Sequence, residues 1–365
     1  MNSPLQLPPY AKFGLISLGF ISILAFLYVS GSILIPITCA TLLAIILDRL
    51  VHILVHYKFN RLWAIIVTLT FAVLVVAFIS IFVISQVTNF TDSFPALIDK
   101  FQNLLNSIIS MTSDHLNVSS KDVSTWVAKE KQDLMSHSST FIGQTIGTLG
   151  GILIVIFLTP VYIFMILYYK SHLVEFIHKL FKKNDPDAVD EIFGEIKIMI
   201  QNYLLGLIRQ AAIIASLYSV GFFIIGIDYA ILLGIIGALL NVVPFIGAWS
   251  AAALFVTITL VTKSTFSYAI IVFLFFLVVH FIDNTFIIPK IVASRVRINA
   301  LTALIAVFAG HAVWGVPGMF LSIPLVAIMK LIFDRIEPLK PWGFLFGDPI
   351  PVKVKGKLKI NNGKR

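Results

Sequence analysis

The chain has 365 residues, 58% apolar and 12% charged, with a mean hydropathy of +0.97. A soluble domain runs at roughly 45–50% apolar and about 25% charged, which excludes a soluble globular enzyme, a disordered chain and an ordinary nucleic-acid reader. The net charge is +9, and between Pro338 and Arg365 six lysines and one arginine stand against Asp348 alone.

Apolar runs 12–33 and 34–47 come first, split near Gly31 and Pro36. No small-residue cleavage site separates them, so the first run reads as a retained span and not a signal peptide. Cys39, the single cysteine, lies in the second run and leaves no intramolecular disulfide. A loop with Arg49, Lys58 and Arg61 leads to a third run, 62–85, and then to a polar stretch, 86–146. There Phe94, Leu97, Ile98, Phe101, Leu104, Leu105, Ile108 and Ile109 recur at helical spacing behind Ser93. Val123, Trp126, Val127 and Leu134 suggest a second helix. The region reads as a small helical cap or, alternatively, a lid over a solute site. A fourth run, 147–169, precedes the connector 170–207, where Ile192, Ile196, Met199 and Tyr203 form a stripe opposite Glu191, Glu195 and Lys197. Such a helix lies in the interface plane.

Lysines and arginines near span ends set the orientation. Residues 48–61 and 170–184 carry them, while 86–99 and 132–146 carry none. The first two segments go inside and the polar region outside. The basic tail, 336–365, also goes inside, beside anionic lipid. Both termini are then cytoplasmic. Nucleic acid is not an expected partner, because no aromatics interleave with the tail lysines.

The second half poses a parity problem. If run 208–227 crosses outward, Asp228 is outside, and the next apolar stretch, 229–262, is too long for one span and short for two. It is broken by Asn241-Val242-Val243-Pro244-Phe245-Ile246-Gly247. Run 266–288 crosses back, and the last stretch, 299–335, is broken between Gly310 and Gly318. Both broken stretches read as helical hairpins, one entering from each face; spans kinked at Pro244 and Pro317 are the alternative. Paired Gly/Pro-interrupted segments in inverted halves point to a midplane binding site. Non-helical backbone survives there only where protein or a watery cavity satisfies it.

The expected fold is therefore an all-α polytopic membrane protein with about six full spans and two broken hairpins in inverted orientation. Spans 1–3 occupy 1–85, an extracytoplasmic helical region 86–146, span 4 147–169, a cytoplasmic connector 170–207, a transport core 208–335 and the tail 336–365.

Asp283 is the first candidate for coupling, because a charge within a span is costly and usually marks an ion or proton path. The alternative is an interfacial aspartate paired with Lys290 or Arg295. His280, one turn earlier and facing the same way, is a candidate proton relay or a packing histidine, and Asn284 adjoins Asp283. Asn241, Pro244 and Gly247 offer an amide and unwound carbonyls that suit sodium or a polyol hydroxyl, or else serve only the geometry of the tip; Gln210 is a further lining candidate. Arg209 and Gln210 open the fifth span; Arg209 either holds an anionic group or snorkels to the interface. His311 sits in the second break as a lining candidate, and Asp228 reads as a solvated turn residue. No Walker A, H-E-x-x-H, C-x-x-C or G-x-S-x-G pattern occurs. Neither an enzyme, nor a metal site, nor a bound cofactor is expected.

The stretch Gly206–Gly247 and the stretch from Asp283-Asn284 through Lys330 resemble the autoinducer-2 exporter (AI-2E) family. The P-x-x-G of Pro244–Gly247, the Pro289-Lys290 step and the G-x-x-G-M-x-x-x-x-P pattern ending at Pro324 carry the likeness, and the order of the N-terminal elements fits it. The chain departs from the family at Ile298-Asn299-Ala300, where L-H-P often stands. The resemblance implies a homo-oligomeric bacterial inner-membrane transport protein, with a pentamer among the assemblies it admits. Members have been linked to export of the quorum-sensing furanosyl signal and to sodium/proton antiport. The expected function is secondary transport of a small solute or Na+/H+ antiport. A passive oligomeric pore and a non-transporting accessory protein are the alternatives.

Overall fold

A computed structural model describes residues 8–86, 157–180, 186–244, 246–263, 265–292 and 296–348. The outer helices expected within 86–146 begin where this description stops, and the basic end of the tail lies outside it as well. Among the described residues the chain is helical apart from one isolated β-bridge, Ile298 to Gly347, and seven helices are long and apolar enough to cross a membrane.

Helix α1 (Pro9–Val29) starts with proline in its first turn, where a missing N–H costs nothing. A single residue, Ser30, separates it from α2 (Gly31–His56). Helix α3 (Arg61–Gln86) packs on α2 through Ala40, Ala44 and Ala64, whose small side chains let the backbones approach. Helices α4 (Phe157–Tyr168) and α5 (Lys170–Leu180) meet at a 61° bend. α5 therefore turns away from the span that precedes it.

Helix α6 (Pro186–Ile225) runs unbroken through residue 207, where the sequence suggested a connector handing over to a span. The reason is phase: the buried stripe Ile200, Tyr203 and Leu204 continues into Gln210, Ile214, Tyr218 and Phe222 without a breaker. A turn with Gly226 and Tyr229 at positive φ leads to α7 (Ala230–Asn241). Gly234 faces Ser219 and the Ala215 carbonyl of α6 so closely that a Cβ there would overlap both. α7 and α8 (Ile246–Lys263) form the first hairpin. Its base is closed by Lys263 and Asp228 at 3.4 Å, so both ends lie at one end of the bundle. With 12 residues, α7 extends about 18 Å, more than half of a hydrocarbon core of about 30 Å.

Helix α9 (Phe266–Ile282) passes at Asp283 into a π-helical segment, Asp283–Val292, which holds Pro289. The last long helix, α10 (Ala300–Arg335), is interrupted at Gly315 (φ 62°, ψ −142°). Gly310 and Gly318, eight positions apart, lie backbone to backbone, and Ser322 also reaches Gly310. A straight helix would hold Gly310 and Gly318 about 12 Å apart, so α10 folds back as the second hairpin. Its base sits at the opposite end from the first: Arg335 pairs with Glu191 and Glu195 of α6 (3.0 and 2.7 Å). Asn299 caps the first turn by accepting from the Thr302 N–H at 2.8 Å, and its amide donates to the Leu345 and Gly347 carbonyls around α11 (Lys340–Phe346). This is the point where the sequence departs from the family pattern, and the residue present there has a clear structural task.

Among the described residues three clusters hold the fold. One joins α6, the first hairpin, α9 and the π segment around Phe222, Phe255 and Phe276. A second joins α2, α6 and the second hairpin around Ile200, Tyr203 and Leu321. The third joins α2, α3 and α4. The outward faces carry exposed side chains such as Phe78, Phe223 and Ile224. Lipid covers such faces without the cost that water would impose.

Candidate functional site

The site is built where three elements meet at membrane depth. α6 contributes Gln210, the end of α7 contributes Asn241, and the first residue of the π segment contributes Asp283. The Asp283 carboxylate is only 2% exposed and Gln210 7%. Gln210 Nε2 donates to both carboxylate oxygens at 3.1 Å, and Asn241 Nδ2 donates to Oδ2 at 2.7 Å. Among the described residues no lysine or arginine pairs with Asp283. The carboxylate is held by two neutral amides, one of them on the tip of a broken helix. The interfacial alternative, a pair with Lys290, is not what forms: the Lys290 ammonium lies over the Phe286 ring, 5.8 Å from its centre. Arg295 lies outside the described residues.

Local structure explains the tip. Val243 donates to the Leu240 carbonyl (2.9 Å) and Gly247 to the Val243 carbonyl (3.1 Å), so the turn satisfies part of its own backbone. Half-buried Pro244 lies within it. Gly247 is required there because a Cβ would overlap the Leu240 carbonyl. The π segment that begins at Asp283 is a second departure from regular helix at the same place, and π turns recur at functional positions.

Gln210, Asn241 and Asp283 therefore come together, with Pro244 and Gly247 shaping the turn that brings Asn241 in. The other expected residues do not join them. His280 stacks on Phe276 (5.4 Å between ring centres) beside Trp249, and its Nε2 lies 2.9 Å from the Asn284 amide nitrogen. The Asn284 amide also donates to the His280 carbonyl at 3.1 Å. His280 is half-buried and Asn284 exposed, while Asp283 is buried and bonded to α6 and α7. Arg209 is exposed beside Gln210, and His311 is exposed near the tip of the second hairpin. Asp228 pairs with Lys263.

Two polar features had no place in the sequence reading. Asp48, 6% exposed near the end of α2, accepts from Lys170 at 2.8 Å and Lys197 at 2.5 Å, and so joins α2, α5 and α6. Gln201 adds a bond to the Ile45 carbonyl at 2.6 Å. Trp314, at the tip of the second hairpin, donates its indole N–H to the Leu27 carbonyl at 2.8 Å. Asp48 stands just past the apolar run 34–47, where it reads as part of a charged loop; the Trp314 bond spans 287 positions and leaves no local signal.

Inverted broken hairpins and a buried carboxylate at one tip match the arrangement of a transport protein, and comparison with known proteins agrees. A sequence model of the family described as AI-2E family transporter matches residues 18–337. The chain belongs to that family. Its relatives include YueF of Bacillus subtilis (strain 168), designated "Putative transport protein", 22% identical over 86% of this chain and 87% of YueF. YrrI of the same organism, with the same designation, is 23% identical over 68% of this chain and 70% of its own length. "Putative permease PerM" of Escherichia coli (strain K12) is 21% identical over 54% of this chain and 57% of PerM. This AI-2E family member is thus a multi-pass membrane protein with a transport role.

Proposed function

We propose that this AI-2E family chain is a secondary transporter in which ion binding at Asp283 is coupled to movement of the first hairpin. The observation that carries the reading is the pair of neutral amides on the Asp283 carboxylate, one contributed by the hairpin tip. A proton or sodium ion taking those oxygens competes with the amide N–H groups. Ion occupancy and the position of the tip are then linked, because each state favours a different set of partners. Asn241, with the carbonyls around Pro244 and Gly247, supplies oxygen ligands that suit sodium or the hydroxyls of a small solute. Arg209, His280, Asn284 and His311 are assigned supporting places along the solute path. The membrane is the bacterial inner membrane, with both termini cytoplasmic, and the working unit is a homo-oligomer. A furanosyl signal and the Na+/H+ pair are the candidate cargoes. The absence of a nucleotide-binding motif in the sequence supports a gradient as the driving force.

The test uses purified protein in liposomes that enclose a pH-sensitive dye, pulsed with sodium or potassium at several pH values. Cation-dependent proton movement is expected from the wild type and its loss from Asp283→Asn, with both proteins equally folded. Silence of the wild type would sink the antiport reading. Full flux in the variant would remove Asp283 from the mechanism.

A further inference from the structure

We propose that the cleft between α2, the start of α3 and α5 binds an anionic phospholipid by its phosphate. The cleft has a volume of 620 Å³ and is floored by Val51, Val55 and Val174, with His52, Arg61 and Lys170 among the groups around it. Its position fits a headgroup. Val51 to Val55 lie in the last two turns of α2, and Arg61 opens α3. α5 bends 61° from α4 and exposes Leu173 and Phe176 on its flank, as a helix lying along the membrane interface does.

Its charge fits as well. The lining holds two carboxylates, Asp48 and Glu175, against Arg61 and Lys170. Asp48 is paired with Lys170 and also with Lys197, which stands outside the lining. Glu175 is already paired with Lys179 at 2.8 Å, and His178 faces Asp190 at 2.9 Å. Arg61 donates only to neutral oxygens, the Ser171 hydroxyl at 2.8 Å and the Leu167 carbonyl at 3.1 Å. Among the described residues no carboxylate pairs with it. The cleft thus presents uncompensated positive charge over an apolar floor, and guanidinium is well matched to phosphate oxygens. A free anion would use the charge but not the valine floor, and a neutral lipid would use the floor but not the surplus charge. A basic pocket between membrane helices of this kind takes an anionic headgroup, with the acyl chains along its apolar wall. Lys197 also ties the cleft to α6, the helix that carries Gln210.

The full chain, purified in a nonionic detergent, is titrated with phosphatidylglycerol, phosphatidylcholine or soluble glycerol phosphate while its thermal unfolding is followed. Phosphatidylglycerol is expected to raise the Tm by about 3 °C, and the other two to leave it unchanged. Arg61→Gln, which removes the unpaired charge, is expected to abolish the rise. Val55→Trp, which fills the floor and leaves every charge in place, is expected to abolish it too, and decides the matter alone if Arg61→Gln does not fold. An equal rise with phosphatidylcholine, an equal rise with glycerol phosphate, or a rise that survives in Val55→Trp would each overturn the proposal.

Discussion

The two hairpins solve the same problem by different chemistry. Each must place a chain reversal at membrane depth, where every backbone group needs a partner. The first hairpin closes on Asn241 and Pro244, and its tip is tied to a buried ionisable carboxyl through the Asn241 amide. The second closes at Gly315, is zipped by the backbone approach of Gly310 to Gly318, and is tied by Trp314 to the neutral carbonyl of Leu27. The first tip depends on an ionisable group, so its position responds to an ion. The second depends on shape and one neutral bond and, among the described residues, has no ionisable partner there. A division of labour follows, in which the first hairpin senses the ion and the second is held against the end of α1 and the start of α2.

The contrast is broken most severely at the zipper. Gly318→Val puts a branched side chain where a single Cβ already overlaps the Gly310 carbonyl, and that backbone has nowhere to go. The cost is expected at about 3 kcal/mol or more, seen as loss of monodisperse protein or a large fall in Tm. Gly315→Ala is milder. The methyl meets open space, but φ 62° and ψ −142° is a region that essentially only glycine adopts. The strain is expected to cost about 2 kcal/mol. A Gly315→Ala protein as stable as the wild type would show that the reversal is not built as described.

Asn241→Ala tests the first tip. It removes one bond to the buried carboxyl and leaves Asp283 to Gln210, at an expected cost of about 1 kcal/mol. Its sharper consequence is on transport. The dependence of flux on ion concentration is expected to shift, because the competition between ion and tip is weakened, while substitutions at the second tip leave that dependence alone. An unchanged ion dependence would separate Asn241 from coupling.

Much of this architecture was legible in the sequence because it was written in chain-breaking residues. Asn241–Gly247 and Gly310–Gly318 stand in apolar stretches whose lengths fit neither one span nor two, and both contain reversals. Asp283 was visible as a charge inside a span. Its partners were not: Gln210 lies 73 positions away and Asn241 42, and pairing at that range depends on packing that periodicity does not encode. His280 was expected to face the same way as Asp283 from its i, i+3 spacing. It does share a stripe with Phe276 and Asp283, but its ring is taken up by Phe276, Trp249 and Asn284 and makes no hydrogen bond to the carboxylate. The continuity of α6 was missed because charged residues in its first half read as a connector, although its buried stripe keeps one phase across residue 207.

The smallest expected effect falls on the bond that most distinguishes the second tip. Trp314→Phe keeps an aromatic ring against Gly31 and deletes only the indole N–H to the Leu27 carbonyl. Interhelical bonds of this kind average about 0.6 kcal/mol in membranes, so the Tm is expected to fall by no more than about 2 °C. Trp314→Ala also removes a half-buried ring that packs against the second cluster. Its cost should be several times larger. The ratio of the two separates the bond from the packing. If Phe and Ala cost the same, the N–H is what holds the tip. If Phe is neutral and Ala is not, shape alone holds it, and the second hairpin contains no polar latch for any ligand to open.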